Sequence, residues 1–189
     1  MLPLLLAAAA AVATMPAPPA LRTTWRAPSG EWSDAVRWSA GLPTPFNQAA
    51  VRGDSVLTLP SGTQRAGDLE IGLESRDHAR VNVAGGQLIL MRDSLRLGEH
   101  TGGSATCFLS AGAIHSAMDV FVGGASTVPD RATQAELHIS GGNFLGRSLT
   151  LGAGMGAHSL LSCDGSKPEA VALLDDLYVE AFTDPKGAA

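Results

Sequence analysis

Apolar and polar residues alternate with a period of two in short bursts, and the bursts recur along most of the chain. One kind of burst ends in glycine. It reads Val81-Asn82-Val83-Ala84-Gly85-Gly86, Cys107-Phe108-Leu109-Ser110-Ala111-Gly112 and Leu137-His138-Ile139-Ser140-Gly141-Gly142, with weaker copies at Leu57-Thr58-Leu59-Pro60-Ser61-Gly62 and Leu161-Ser162-Cys163-Asp164-Gly165. Two places after the glycine the central copies carry an apolar residue: Leu88, Ile114 and Phe144. A second, three-residue burst follows each copy: Leu69-Glu70-Ile71-Gly72, Leu95-Arg96-Leu97-Gly98, Val120-Phe121-Val122-Gly123, Leu149-Thr150-Leu151-Gly152 and, without its glycine, Leu177-Tyr178-Val179. Alternation of this kind turns one face of a strand inward and the other to water.

Strands of three to five residues bury too little surface to stand alone. The terminal glycines of the first burst fall at positions 62, 86, 112, 142 and 165, so successive copies lie 24, 26, 30 and 23 residues apart, which is a solenoid period. The predicted fold is therefore all-β: a single-stranded β-helix of about five coils. Each strand would pair with its copies above and below at roughly 4.8 Å, and like side chains would pile into apolar columns such as Val83, Leu109 and Ile139. Glycine would serve the corners. The longest copy gains its extra residues between Gly123 and Gln134, where Pro129 and Asp130 mark a loop. The stretch from Glu169 to Leu174 reads as a loop or short helix.

All three tryptophans, Trp25, Trp32 and Trp38, precede the first repeat. A solenoid end exposes unpaired edges and an apolar cross-section, so large flat side chains suit a lid there. The functional alternative is a platform on which indole faces stack against sugar rings, with Trp25, Trp32 and Trp38 as the binding residues. Residues 1–20 read as an export signal, with an apolar run from Leu2, an A-x-A arrangement at Ala11 and Ala13, and cleavage after Ala13 or Ala20. Pro16, Pro18 and Pro19 interrupt that run before it reaches membrane-spanning length. The expected organisation is a signal at 1–20, a tryptophan cap at 21–48, solenoid repeats at 49–182 and a flexible tail at 183–189.

Composition narrows the partners. The net charge is −5 and Lys and Arg form no cluster, which argues against nucleic acid or an anionic membrane surface. Aromatic residues are only 5% of the chain while glycines number 22, so the core must be aliphatic and the turns many.

The opening Gly30-Glu31-Trp32-Ser33-Asp34-Ala35, with Trp38, Gly41 and Pro43 after it, the Ala50-Val51 entry and the L-x-I-G and I-S-G-G phrases resemble secreted, repeat-rich β-helix proteins of Gram-negative bacteria. Those are the proteins of the autotransporter-passenger-like and PEP-CTERM-associated type. The resemblance covers roughly residues 24 to 180. It implies a right-handed β-helix at the cell surface or outside the cell, usually of unknown molecular role, either free or one segment of a longer protein. Separately, a cell-surface glycan or protein is the expected partner.

Candidate chemistry is sparse. Cys107 aligns with Val81, Leu137 and Leu161, and Cys163 with Val83, Leu109 and Ile139, so the two thiols would sit two coils apart, beyond disulfide reach. Both are expected to be buried and free. The five histidines, His78, His100, His115, His138 and His158, fall at different phases of the repeat and predict no ligand cluster; no metal-binding phrase is present. Gly152-Ala153-Gly154-Met155-Gly156 lacks the helix and acidic residue of a nucleotide-binding turn and reads as a corner. Arg52-Gly53-Asp54 reads as a turn. The outward columns Glu70, Arg96, Phe121, Thr150, Tyr178 and Thr58, Asn82, Phe108, His138, Ser162 contain no acid/base set, and Glu70 beside Arg96 reads as a cross-strand ion pair. No cofactor is implied. These readings point to a non-enzymatic, adhesin-like module, with a carbohydrate-binding module or a truncated polysaccharide-active enzyme as the alternatives.

Overall fold

The computed structural model describes residues 22–92, 94–98, 103–123, 133–152, 157–164 and 171–179, and these form a β-solenoid of about five turns. Its strands fall on three faces. The first face takes β2 (Ser29–Glu31), β4 (Val56–Leu59), the first halves of β7 (His78–Leu90) and β9 (Ser104–Ser116), β11 (Thr133–Ile139) and β13 (Ala157–Cys163). The second takes β5 (Thr63–Ala66), the second halves of β7 and β9, and the starts of β12 (Asn143–Leu151) and β14 (Val171–Val179). The third takes β1 (Arg22–Thr24), β3 (Gln48–Val51), β6 (Asp68–Ile71), β8 (Leu95–Leu97), β10 (Val120–Val122) and the ends of β12 and β14. Every strand-to-strand pairing is parallel, as it must be when each coil follows the path of the one before.

The register carries the repeat into the core. Leu59, Val83, Leu109, Ile139 and Cys163 are successive partners, and so are Leu57, Val81, Cys107, Leu137 and Leu161. On the third face Val51, Ile71, Leu97, Val122 and Leu151 follow one another in the same way. Leu88, Ile114 and Phe144 form the column of the second face. All of these are fully buried except the last rung and Leu151, so the interior is a set of continuous aliphatic stacks whose contacts run along the solenoid axis.

Glycine closes the second burst for a backbone reason. Gly72, Gly98, Gly123 and Gly152 all take positive φ, between 59° and 82°, where other residues are strained. Each turns its N–H onto the carbonyl of the preceding rung: Val51, Ile71, Leu97 and Val122 respectively, at 2.9 to 3.0 Å. The ladder thus continues through the residue that breaks the strand.

Two sequence expectations change. The tryptophan segment is not separate from the coils. β1 pairs with β3 and β2 with β4, so residues 22–31 extend the first and third faces by one more rung. The pattern hid this because Arg22-Thr23-Thr24 and Ser29-Gly30-Glu31 lack the aliphatic alternation of later copies. The stretch expected as a loop or short helix before Leu174 is strand from Val171 onward, because Val171, Ala172 and Leu173 extend the second-face ladder over Asn143, Phe144 and Leu145. The export segment at 1–20, the inserted loop at 124–132, Ala153 to Gly156 and the tail at 183–189 lie outside the described residues.

Stacked corners also bring backbones close. Gly62 and Gly112 have similar positive φ, 75° and 84°, but a Cβ on Gly62 would meet nothing within 4 Å whereas one on Gly112 would lie 2.1 Å from the Gly86 carbonyl. Gly62→Ala is therefore expected to cost only the backbone strain, about 1–3 kcal/mol, and Gly112→Ala clearly more. Equal losses in chemical denaturation would show that the corners do not stack as described.

Candidate functional site

The solenoid presents three outward faces. On the first face, Asn82, Phe108, His138 and Ser162 occupy one outward column, rung by rung. The Phe108 and His138 rings lie parallel, 8° apart in plane and 4.6 Å between centroids, and the Arg80 guanidinium sits 4.1 Å from the centroid of Phe108. The coil spacing enforces this stack, since like-placed rings one rung apart have no other distance to adopt. Arg80 Nε also donates to Asn82 Oδ1 at 2.8 Å. Glu136, two residues before His138 on β11, holds His138 Nε2 at 3.0 Å. Near the start of the same face His78 Nδ1 and Ser104 Oγ are 2.8 Å apart.

Beside the stack, Gln134, Glu136, His158, Ser159 and Leu160 line a shallow groove of about 420 Å³. A second groove of about 610 Å³ lies at the corner between the second and third faces, where Leu145, Leu174 and Ala117 meet Ser116, Arg147 and Asp175.

The third face is a network of paired charges. Glu70 accepts from Arg22 and, at 2.7 Å, from Gln48 Nε2. It lies opposite Arg96 in register, as expected, and Arg96 continues toward the Phe121 ring at 5.6 Å and bonds Ser94 Oγ at 2.8 Å. Arg52 pairs with Glu74, and burial, reinforced by the nearby positive charge of Arg22, holds its guanidinium below its usual pKa. Further along, Arg147 clasps Asp119 through two nitrogens, while Ser148 Oγ donates to Asp119 Oδ1 at 2.8 Å. The Ser148 bond, ahead of Arg147 and against a smaller effect of burial, keeps the Asp119 carboxyl below the ordinary carboxylate range.

Trp25, Trp32 and Trp38 are buried, at 1% to 3% exposure, and their rings pack on one another with Trp38 in the middle, 5.4 and 5.1 Å from its neighbours. The backbone N–H of Trp25 donates to the Ala50 carbonyl and that of Trp32 to the Thr58 carbonyl, which continues the ladder and puts the two residues in register with Val51 and Leu59; their indole nitrogens are buried without a partner among the described residues. Their faces are spent on the core. In Arg52-Gly53-Asp54, Gly53 takes φ 61° and donates its N–H to Asp77 at 2.8 Å, so the tripeptide is a turn with Arg52 already paired.

The histidines share more than their spacing suggested. His78, Ser104, Gln134 and His158 form one outward column, so His78 and His158 share a phase three coils apart and His138 faces the same way. Among the described residues no three His, Cys, Asp or Glu side chains gather around a metal-sized point. Both cysteines are free, but Cys163 is exposed, against expectation. It occupies the inward column; β13 is the last described strand of its face and pairs only with β11, so no described rung covers it. Among the described residues no helix is long and apolar enough to cross a membrane.

No protein-family model matches the chain, and comparison with curated proteins and with solved structures likewise found no match.

The two thiols should differ in chemistry. Burial pushes the Cys107 thiol up to about 12, so it carries almost no thiolate at ordinary pH, whereas Cys163 meets solvent. One thiol per folded chain is expected to react with Ellman's reagent in mildly alkaline buffer, and two after denaturation. Two in the folded state, or none, would contradict this placement.

Proposed function

We propose that the chain is a non-enzymatic structural and interaction module, adhesin-like, working outside a bacterial cell or on its surface. The observation that carries this reading is the Arg80–Phe108–His138 stack. Outward positions of a coil are free to hold any chemistry, and here they tie one rung to the next. The third face repeats the theme with its paired charges. Such a surface is stiff and patterned, which suits recognition of an extended partner by a rod.

Two fragments of a catalytic set occur on the first face, the Ser104 hydroxyl with His78 and the Glu136 carboxylate with His138. They do not share an imidazole: His138 is four positions along β11 from Gln134, the residue in register with Ser104. A carboxylate can orient an imidazole as a general base, yet the ring's bonded partner is Glu136, its face is taken by Phe108, and no described hydroxyl or thiol hydrogen-bonds its other nitrogen. Export is supported by the apolar, small-residue character of residues 1–20, and a secreted setting by their A-x-A arrangement. The tryptophans do not favour a sugar platform: burial of all three makes them lid residues, and Trp32→Ala should cost about 3–5 kcal/mol of stability as a large-to-small core change.

The reading is tested with purified protein on bacterial and host cell surfaces and on soluble neutral and acidic polysaccharides. Labelled protein is expected to adhere, and reducing-end release is expected to stay at background. Release that disappears in Glu136→Gln would make the chain an enzyme and defeat the proposal.

A further inference from the structure

The groove on the first face carries polar side chains that are only partly committed to one another. Gln134, Glu136 and His138 point outward from β11, and His158, Leu160 and Ser162 stand directly opposite them on β13. The strands are roughly 4.8 Å apart and alternate side chains on one face of a strand roughly 7 Å, so the six form a compact grid about 14 Å long. Gln134 and His158 are exposed, and their side chains make no hydrogen bond or ion pair with described residues. Glu136 spends one oxygen on His138 and stays 41% exposed. Ser159, between His158 and Leu160, is in register with inward Ala135, so its buried hydroxyl is no part of the outward grid.

The apolar part of the grid is equally open. Leu160 is 45% exposed in the middle of it, flanked by polar neighbours. The stack of Arg80, Phe108 and His138 ends here, because Ser162 follows His138 in this column and is too small to cover an imidazole. His138 therefore has one face on Phe108 and an edge fixed by Glu136, with its other face toward the short side chain.

An amide, a carboxylate and an imidazole set around a small apolar patch match a molecule with a polar rim and an apolar face. A pyranose unit has that build, and the groove's volume of about 420 Å³ falls in the range of small-molecule sites. Charge selects among sugars. Glu136 is the only formally charged side chain of the grid when the histidines are neutral, so an acidic sugar meets repulsion and a neutral or amino sugar does not. We propose that this groove binds a neutral or amino-sugar unit of a surface glycan, an inference that rests on the interaction-module reading and names the class of its partner.

The test uses the purified chain and four probes: chitosan tetramer, cellotetraose, maltotetraose and tetragalacturonate. At least one neutral or amino oligosaccharide is expected to shift the His138 and His158 imidazole resonances in a saturable way, and tetragalacturonate is expected not to. A His158→Ala, Gln134→Ala double variant should weaken that binding about tenfold or more with its melting curve unchanged, since both side chains are exposed and unbonded; tenfold corresponds to about 1.4 kcal/mol. No shift with any probe, preference for tetragalacturonate, or undiminished binding by the double variant would overturn the assignment. Adhesion to cells that persists without any oligosaccharide shift would overturn the sugar site alone and leave the module reading standing, with a protein partner in its place. Cleavage of a probe would defeat the non-enzymatic module reading on which the inference rests.

Discussion

The structure depends on registry between coils. A three-residue strand such as Leu95–Leu97 is worth almost nothing alone; it persists because Leu69 and Ile71 lie on one side of it, Val120 and Val122 on the other, and the backbone ladder fixes all of them to the same two inward positions. Slipping by one residue would send an entire column to solvent, so the alternation acts as a register lock. The glycines at 72, 98, 123 and 152 serve the same lock by letting the chain turn while its N–H still reaches the rung before.

Stacking of this kind leaves the problem of ends. At the beginning, Trp25 and Trp32 are placed by the ladder over Val51 and Leu59, and Trp38 wedges between them with its Nε1 on the Trp32 carbonyl at 2.9 Å. Three indoles thereby occupy the cross-section that aliphatic side chains fill elsewhere. At the other end of the described residues the inward columns open to solvent: Leu177 is 54% exposed where Leu149, one rung earlier, is fully buried, and Cys163 is exposed where Ile139 is not.

Periodicity revealed the columns because burial acts on the same positions in every copy. Val83, Leu109 and Ile139 were legible as one stack, as were both outward columns, residue for residue. What periodicity cannot carry is a rung built from other residues. Arg22–Thr24 and Ser29–Glu31 pair in register through backbone groups alone, and nothing in their side chains announces it. The second face was half visible, in Leu88, Ile114 and Phe144, but its continuity with the first burst was masked by the glycines at the bend. Cys163 was misplaced for a related reason: alignment gives a residue its column and says nothing of whether another rung lies above it. The groove of Gln134, Glu136 and His158 depends on cross-rung neighbours, and with the outward register already aligned, Gln134 beside His158 was the available signal.

Inside and outside thus follow one rule, in which each side chain's decisive neighbour is its counterpart one coil away. Aliphatic counterparts make the core, and ringed or charged counterparts make the outer ladders. The most direct check is a methyl NOE experiment on Val83, Leu109 and Ile139. Strong cross-peaks are expected from Leu109 to both of the others, with none between Val83 and Ile139, which two strand spacings hold roughly 10 Å apart. Missing Leu109 cross-peaks, or a direct Val83–Ile139 peak of equal strength, would contradict the stacked register.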